Sequence, residues 1–223
     1  MITPRLQKII DLVDVETIAD IGTDHAYIPI RLAEDKRITR AVACDKNEGP
    51  IEIARANVEK YGFDNIIELR CGDGLFPIDK GEVQTIIIAG MGGNLIGDII
   101  EAQIGKAKSA KLILQPMNAQ YELRKRLEKM GFDIFKEELA KEGYKIYNIF
   151  TAVAGEKVKK KKEIDYHIPE ELLNHELSEM LIEKKKREFR KIASGIKSSA
   201  KKDENDLEIV KYCEEMLSEI EKL

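Results

Sequence analysis

Between residues 15 and 154 the apolar positions fall into short runs, separated by stretches where they recur every three or four residues. The runs read ETIADIG (16–22), AVACD (41–45), IELRCGD (67–73), TIIIAGM (85–91) and KLILQPM (111–117). Such alternation predicts parallel strands joined by crossover helices. Ile86, Ile87, Ile88 and Ala89 are apolar without a break, as suits a strand covered on both faces. Two further runs, FDIFKEELAKEG and YKIYNIFTAVA, lie close together with Glu142-Gly143 as the turn, and are predicted to pair as an antiparallel hairpin. The expectation is an α/β fold: a Rossmann-like, seven-stranded sheet ending in that hairpin.

After residue 155 the pattern changes, and the chain is divided into a domain over 1–155 and a second part over 156–223. Residues 156–162 are almost wholly charged and read as a solvated arm. Beyond them the period is helical. Pro169 is placed to open a helix whose shared face holds Leu172, Leu173, Leu177, Met180 and Leu181, continued by Phe189, Ile192 and Ile196. A second helix follows Asp203, with Leu207, Val210, Cys213, Leu217 and Ile220 at spacings of three and four. Joined around residues 194–202, the two make an antiparallel, coiled-coil-like helical hairpin.

The 223 residues, 43% of them hydrophobic, suffice for one domain of ordinary size and an appendage. Cys44, Cys71 and Cys213 form neither an even disulfide framework nor a C-x-x-C pair, which favours a reducing compartment and no metal site. The first fifteen residues mix charges with apolar positions and resemble neither a signal peptide nor a membrane span, so the expected location is cytoplasmic. A net charge of −4 gives no general pull toward nucleic acid, so any such contact must use local patches.

The chemistry begins at Asp20-Ile21-Gly22-Thr23-Asp24-His25-Ala26-Tyr27, after a strand and before a helix. A glycine there lets backbone approach a ligand closely. The loop has too few glycines for a dinucleotide fingerprint, and Asp24 would repel a pyrophosphate. The carboxylates of Asp20 and Asp24 suit a cationic amino-acid group instead, and methionine joined to adenosine meets that requirement better than a nicotinamide dinucleotide. Asp45, 23 positions after Gly22, can accept both ribose hydroxyls; capping a helix is its simpler alternative. Asp73 would lie beside adenine, or else be a turn aspartate. Lys46, Gly74, Ala89, Gly90, Met91 and Gly92 complete the loops expected to face the cofactor, although Gly92-Gly93 also suits a plain strand-to-helix turn.

The stretches DIGTDHAYIP (20–29), AGMGG (89–93) and LQPM (114–117) resemble the bacterial tRNA (adenine(22)-N1)-methyltransferases, and the likeness extends over the whole chain. It implies a class I methyltransferase sheet, S-adenosyl-L-methionine as cofactor with S-adenosyl-L-homocysteine as product, and methylation of an adenine N1 in the D-arm region of tRNA. Ring N1 has its own lone pair, so positioning rather than a strong base would dominate. Candidate residues at the target base are His25, Tyr27, Asn94, Gln115 and Asn118; structural packing and loop hydrogen bonding are the plainer alternatives.

Candidate RNA contacts are Arg5 and Lys8 near the N-terminus, Lys160 and Lys161 in the arm, and Lys185, Arg187 and Arg190 on the hairpin. Glu176, Glu179, Glu183 and Glu188 among them equally fit a solvated helix face. The apolar stripe allows a monomer or a weak homodimer. A methyltransferase acting on another RNA base or a small molecule, and a noncatalytic RNA-binding protein, stay open as alternatives.

Overall fold

Thr3 accepts a hydrogen bond from the Leu6 amide and Pro4 occupies the first turn, so α1 (Pro4–Asp11) starts directly after them. In the computed structural model, residues 2–155, 161–199, 201 and 203–223 are described. They divide into two compact units, Met1–Lys159 and Lys160–Leu223.

In the first unit, β1 (Thr17–Ile21), β2 (Arg40–Asp45), β3 (Ile67–Cys71), β4 (Thr85–Met91) and β5 (Lys111–Pro116) are parallel, and β6 (Phe132–Glu142) and β7 (Lys145–Ala154) form the hairpin. The order across the sheet is β3-β2-β1-β4-β5-β7-β6, with β7 antiparallel to both its neighbours. All seven runs predicted as strands are strands. Helices α2 (Tyr27–Glu34), α3 (Glu48–Tyr61), α4 (Gly93–Ala102), the short α5 (Ile104–Ala107) and α6 (Gln120–Lys129) fill the crossovers.

Successive side chains of the central strands point to opposite faces, so Ile86 and Ile88 join one apolar cluster and Ile87 the other. Burial on both sides is why this run shows no alternation. The thiol of Cys44 lies in this core, and burial pushes its pKa up to about 12. At the hairpin end, Arg124 of α6 and Glu137 of β6 are both fully buried and pair through two bonds, Nε–Oε1 at 2.9 Å and Nη2–Oε2 at 2.7 Å. The arginine also lies over the ring of Phe150, 4.4 Å from its centroid.

The second unit departs from the sequence expectation in its first half. Pro169 does not open a long helix; it precedes a 3-10 turn over Glu170–Leu172, and another such turn covers Glu163–Tyr166. Helix α7 begins only at Ser178 and runs to Ser198, straight through the Ser194-Gly195 pair expected in the connection. Its buried positions are Leu181, Lys185, Phe189 and Ala193, four apart, while Ile192 is exposed. Asp203 caps α8 (Glu204–Ile220), which buries Val210, Cys213, Met216 and Ile220 and leaves Leu207 exposed. The displaced segment is held by polar contacts that apolar periodicity does not register: Tyr212 donates to Glu163 at 3.1 Å, and its hydroxyl lies 2.7 Å from Nε2 of the buried His167.

Candidate cofactor and active site

The sheet reverses its strand order between β1 and β4, and in open α/β sheets ligands bind outside the carboxyl ends of strands at such a point. There Gly22 turns with φ +77°, and the amides of Gly22 and Thr23 both donate to the Cys44 carbonyl, at 2.8 and 2.9 Å. Thr23 Oγ1 accepts from the amide of Ala26, itself left-handed at φ 55°. These bonds fold the loop so tightly that His25 and Tyr27 stack, with centroids 4.9 Å apart and ring planes at 17°. His25 Nε2 lies 3.2 Å from Asp24 Oδ2. Asp20, at the end of β1, is buried, and desolvation pushes its carboxyl up to about pH 6 against a weaker opposing bond from Thr23.

On the neighbouring strand, Gly90 sits in a bulge of the β4–β5 ladder with φ +78°. Its amide donates to the side chain of Gln115 at 3.1 Å, while Met117 N bonds Met91 O at 2.8 Å. The ε-methyl of Met91 covers Gly22 so closely that a Cβ there would fall 2.0 Å from it. Gly93 has a different neighbour: a Cβ would meet Ala119 O at 2.4 Å and Asn118 O at 2.8 Å. That glycine permits one loop to rest on another.

Between these loops is a cavity of about 420 Å³, lined by Arg5, Asp20, Gly22, Asp24, His25, Tyr27, Ala89 and Gly90 among others. Gln115 is fully buried and does not line it. Its Oε1 accepts from Gly90 N and from Arg5 Nη1 at 2.5 Å, and its Nε2 donates to Pro116 O at 3.1 Å. Expected to read a base, Gln115 is a strut joining α1, β4 and β5. Asn94 and Asn118 are exposed; the carbonyl of Asn94 accepts from Arg126 at 3.0 Å, and that of Asn118 from Gly93 at 3.1 Å. The Asn118 side chain borders Gly92.

Asp45 ends β2 and Lys46 follows it, and Asp73 and Gly74 follow β3; none of them lines the cavity. Asp45 Oδ1 accepts from Asn47 N at 2.8 Å, and the residue before α3 is Asn47, so Asp45 is not the helix cap. Lys46 and Asp73 are exposed, and Gly74 packs over Ile99.

The candidate RNA contacts separate by environment. Arg187 and Arg190 are exposed on α7 and Lys161 is half-buried. Lys185 is buried and bonded to Glu188 at 2.9 Å, Lys8 pairs with Glu138 at 3.3 Å, and Arg5 is recessed in the cavity. Lys160, with Lys157 and Lys159, lies outside the described residues. The place of Arg5 in the cavity is not among the sequence expectations. Its signal is a spacing of four from the buried Ile9 on α1, which turns it inward. Among the described residues no helix is long and apolar enough to cross a membrane, and no group of three or more candidate metal ligands is found.

A seven-stranded sheet with one reversed strand, carrying an acidic, glycine-turned cavity at its switch point, defines an α/β enzyme of the methyltransferase class. Comparison with known proteins agrees. The methyltransferase domain family matches residues 2–150. The tRNA (adenine(22)-N(1))-methyltransferase of Bacillus subtilis is 38% identical over 160 residues, 70% of this chain and 66% of that protein's own length, just short of two thirds. The crystal structure of the B. subtilis m1A22 tRNA methyltransferase superposes with a TM-score of 0.87 at 30% identity, covering 100% of this chain and 98% of that one. A Streptococcus pneumoniae protein crystallised with S-adenosyl-L-methionine gives 0.84 at 33% identity over 97% of this chain and 100% of its own. The chain therefore belongs to the methyltransferase domain family and, within it, to the tRNA (adenine(22)-N1)-methyltransferases.

Proposed function

We propose that this protein transfers a methyl group from S-adenosyl-L-methionine to N1 of adenine 22 of tRNA, in the cytoplasm, leaving S-adenosyl-L-homocysteine. The observation that carries the reading is the cavity at the β1–β4 switch point, where buried Asp20 and exposed Asp24 stand beside the stacked His25 and Tyr27. The nucleobase and its position come from the relatives.

When bound, S-adenosyl-L-methionine supplies a methyl group activated by a sulfonium. Asp20 and Asp24 supply negative charge for its ammonium group, and Gly22 lets the loop turn beneath the Met91 methyl. Asp45 retains a carboxylate oxygen beyond its bond to Asn47 for ribose hydroxyls, and the exposed Asp73 serves the adenine end. Tyr27, 36% exposed and backed by His25, forms a platform on which a flipped target base stacks. Asn118 and Asn94 offer amides to the base edge, and Gln115 holds the loops that carry them. No residue need remove a proton before attack, because N1 presents a lone pair. Alignment alone can contribute on the order of 7 to 11 kcal/mol. The exposed Arg187 and Arg190 of α7 supply phosphate contacts.

The test is to incubate the full chain with isotopically labelled cofactor and unmodified tRNA, and to map the product by digestion and mass spectrometry. Label in 1-methyladenosine at position 22 is expected. Label on another nucleotide, or on metabolites and never on tRNA, would overturn the assignment. In the same assay Tyr27→Ala should lower the single-turnover rate while cofactor affinity is kept.

A further inference from the structure

The β6–β7 hairpin carries a side chain that its own fold does not use. Glu142 pairs across the ladder with Lys145, leaving Gly143 and Tyr144 as a two-residue turn. Gly143, at φ +60°, supplies the left-handed position, so the turn makes no demand on the residue after it. Packing of the hairpin is likewise complete without that residue: Leu139, Ala140, Ile146, Tyr147 and Ile149 are buried, whereas Tyr144 is 87% exposed, the most of any large apolar side chain among the described residues. Lys141 and Lys145 flank it, both exposed, and neither is ion-paired with a described residue. The charges further down the hairpin are matched, Lys8 and Lys136 with Glu138, and Glu142 has its Oε1 on the backbone amide of Arg5. An acidic chain thus presents one aromatic ring between two unpaired ammonium groups. The tip also stands at the site. β7 is antiparallel to β5 and begins five residues before Phe150, the first of its residues to pair there, opposite Leu114. The turn therefore projects on the order of 15 Å past that pair, toward the carboxyl edge of the sheet. Through Glu142 it is bonded to Arg5, which lines the cavity.

We propose that Tyr144 stacks on an unpaired nucleotide of the tRNA while Lys141 and Lys145 hold the phosphates on either side of it. The proposal rests on reading the cavity as the site of tRNA methylation, and extends the contact from the target base to a second nucleotide. A cavity of about 420 Å³ is far too small for a tRNA, so the polynucleotide that carries the target base must cross the surface around it. Every base offers a π-face to such a ring, and ammonium groups beside it meet phosphates without reading sequence. An acidic peptide would engage the lysines and leave the ring in water.

The chain contains no tryptophan, so Tyr144→Trp in the full chain puts its one indole at the tip. Adding unmodified tRNA should quench that fluorescence, as a stacked base does, with a midpoint within about threefold of the wild-type tRNA affinity. Tyr144→Ala should weaken tRNA binding and raise KM for tRNA by a factor on the order of 10, with kcat and calorimetric cofactor affinity kept within about twofold. Tyr144→Phe should behave as the wild type, because the ring and not the hydroxyl makes the contact. Lys141→Gln/Lys145→Gln should lower the slope of log Kd against log salt by about 1.4 to 1.8, the share of two phosphates. An unquenched tryptophan, a Tyr144→Ala variant that binds tRNA as the wild type does, or equal losses in Tyr144→Phe and Tyr144→Ala would overturn the stacking. An unchanged salt slope would overturn the phosphate contacts. A wild type that binds the cofactor but neither binds nor methylates tRNA would overturn the reading of the site, and the proposal with it.

Discussion

At the scale of single residues, Asp20 is the group whose chemistry burial changes most directly. Its pKa is raised from 3.8 to about 6, mainly by desolvation. A raised carboxyl stabilises the folded state fully below the unfolded value, and that contribution is lost as pH rises through about 6, amounting to about 3 kcal/mol once the group is ionised. In urea unfolding, Asp20→Asn should therefore remove a loss of stability between about pH 4 and 6 that the wild type shows. The same variant should be the more stable one at pH 7. Cofactor affinity should run the other way, falling as the pH drops below about 6, because a protonated Asp20 no longer attracts an ammonium. Parallel stability curves for the two proteins would reject this account. Asp20 could be singled out in the sequence by its place at the end of a strand, but not its proton affinity, which depends on how the cavity excludes water. Gly93 shows a related limit: its place in a strand-to-helix turn is legible, but the glycine is required by the carbonyls of Asn118 and Ala119, residues 25 and more positions away.

Between elements, the buried Arg124–Glu137 pair ties α6 to the edge strand β6 and was not legible beforehand. In the sequence Arg124 is one cation in a charged helix, QYELRKRLEK, and Glu137 one acid in an alternating strand. Only the packing of the helix on the sheet takes both from water and onto Phe150. Arg124→Met leaves a buried carboxylate without its partner and should cost about 3 to 5 kcal/mol in chemical denaturation, most of it regained in the double variant Arg124→Met/Glu137→Leu. A single variant within about 0.5 kcal/mol of wild type would mean that the glutamate reaches water. The strands themselves were readable because burial on two faces, or the close spacing of a hairpin, marks local sequence. The start of α7 was not, since Pro169 suits a 3-10 turn as well as a helix and contacts of His167 with Tyr212 chose the former.

For the whole molecule, the division into units at Lys159 places every cofactor candidate in the first and the exposed Arg187 and Arg190 in the second. The net charge of −4 leaves tRNA affinity to such local clusters. A protein of residues 1–159 should bind S-adenosyl-L-methionine as the full chain does, by calorimetry, while its rate on tRNA at subsaturating concentration drops about tenfold or more. Equal rates at matched concentration would show that the second unit does not serve tRNA binding.

By itself, the sequence determined the seven strands, the hairpin that ends the sheet, the change of character after residue 155 and the loops after β1 and β4 that meet at the cavity. Each of these is written in local periodicity or in turn residues at strand ends, and so survives without knowledge of distant contacts. Tertiary structure alone decided the environment of each polar group. It buried Gln115 as a strut, sank Lys185 into the α7–α8 face, drew Arg5 off the surface into the cavity and raised the proton affinity of Asp20. The reason is physical: the free energy of a charge or an amide depends on which atoms surround it and how much water remains, and those atoms come from residues far apart in the chain.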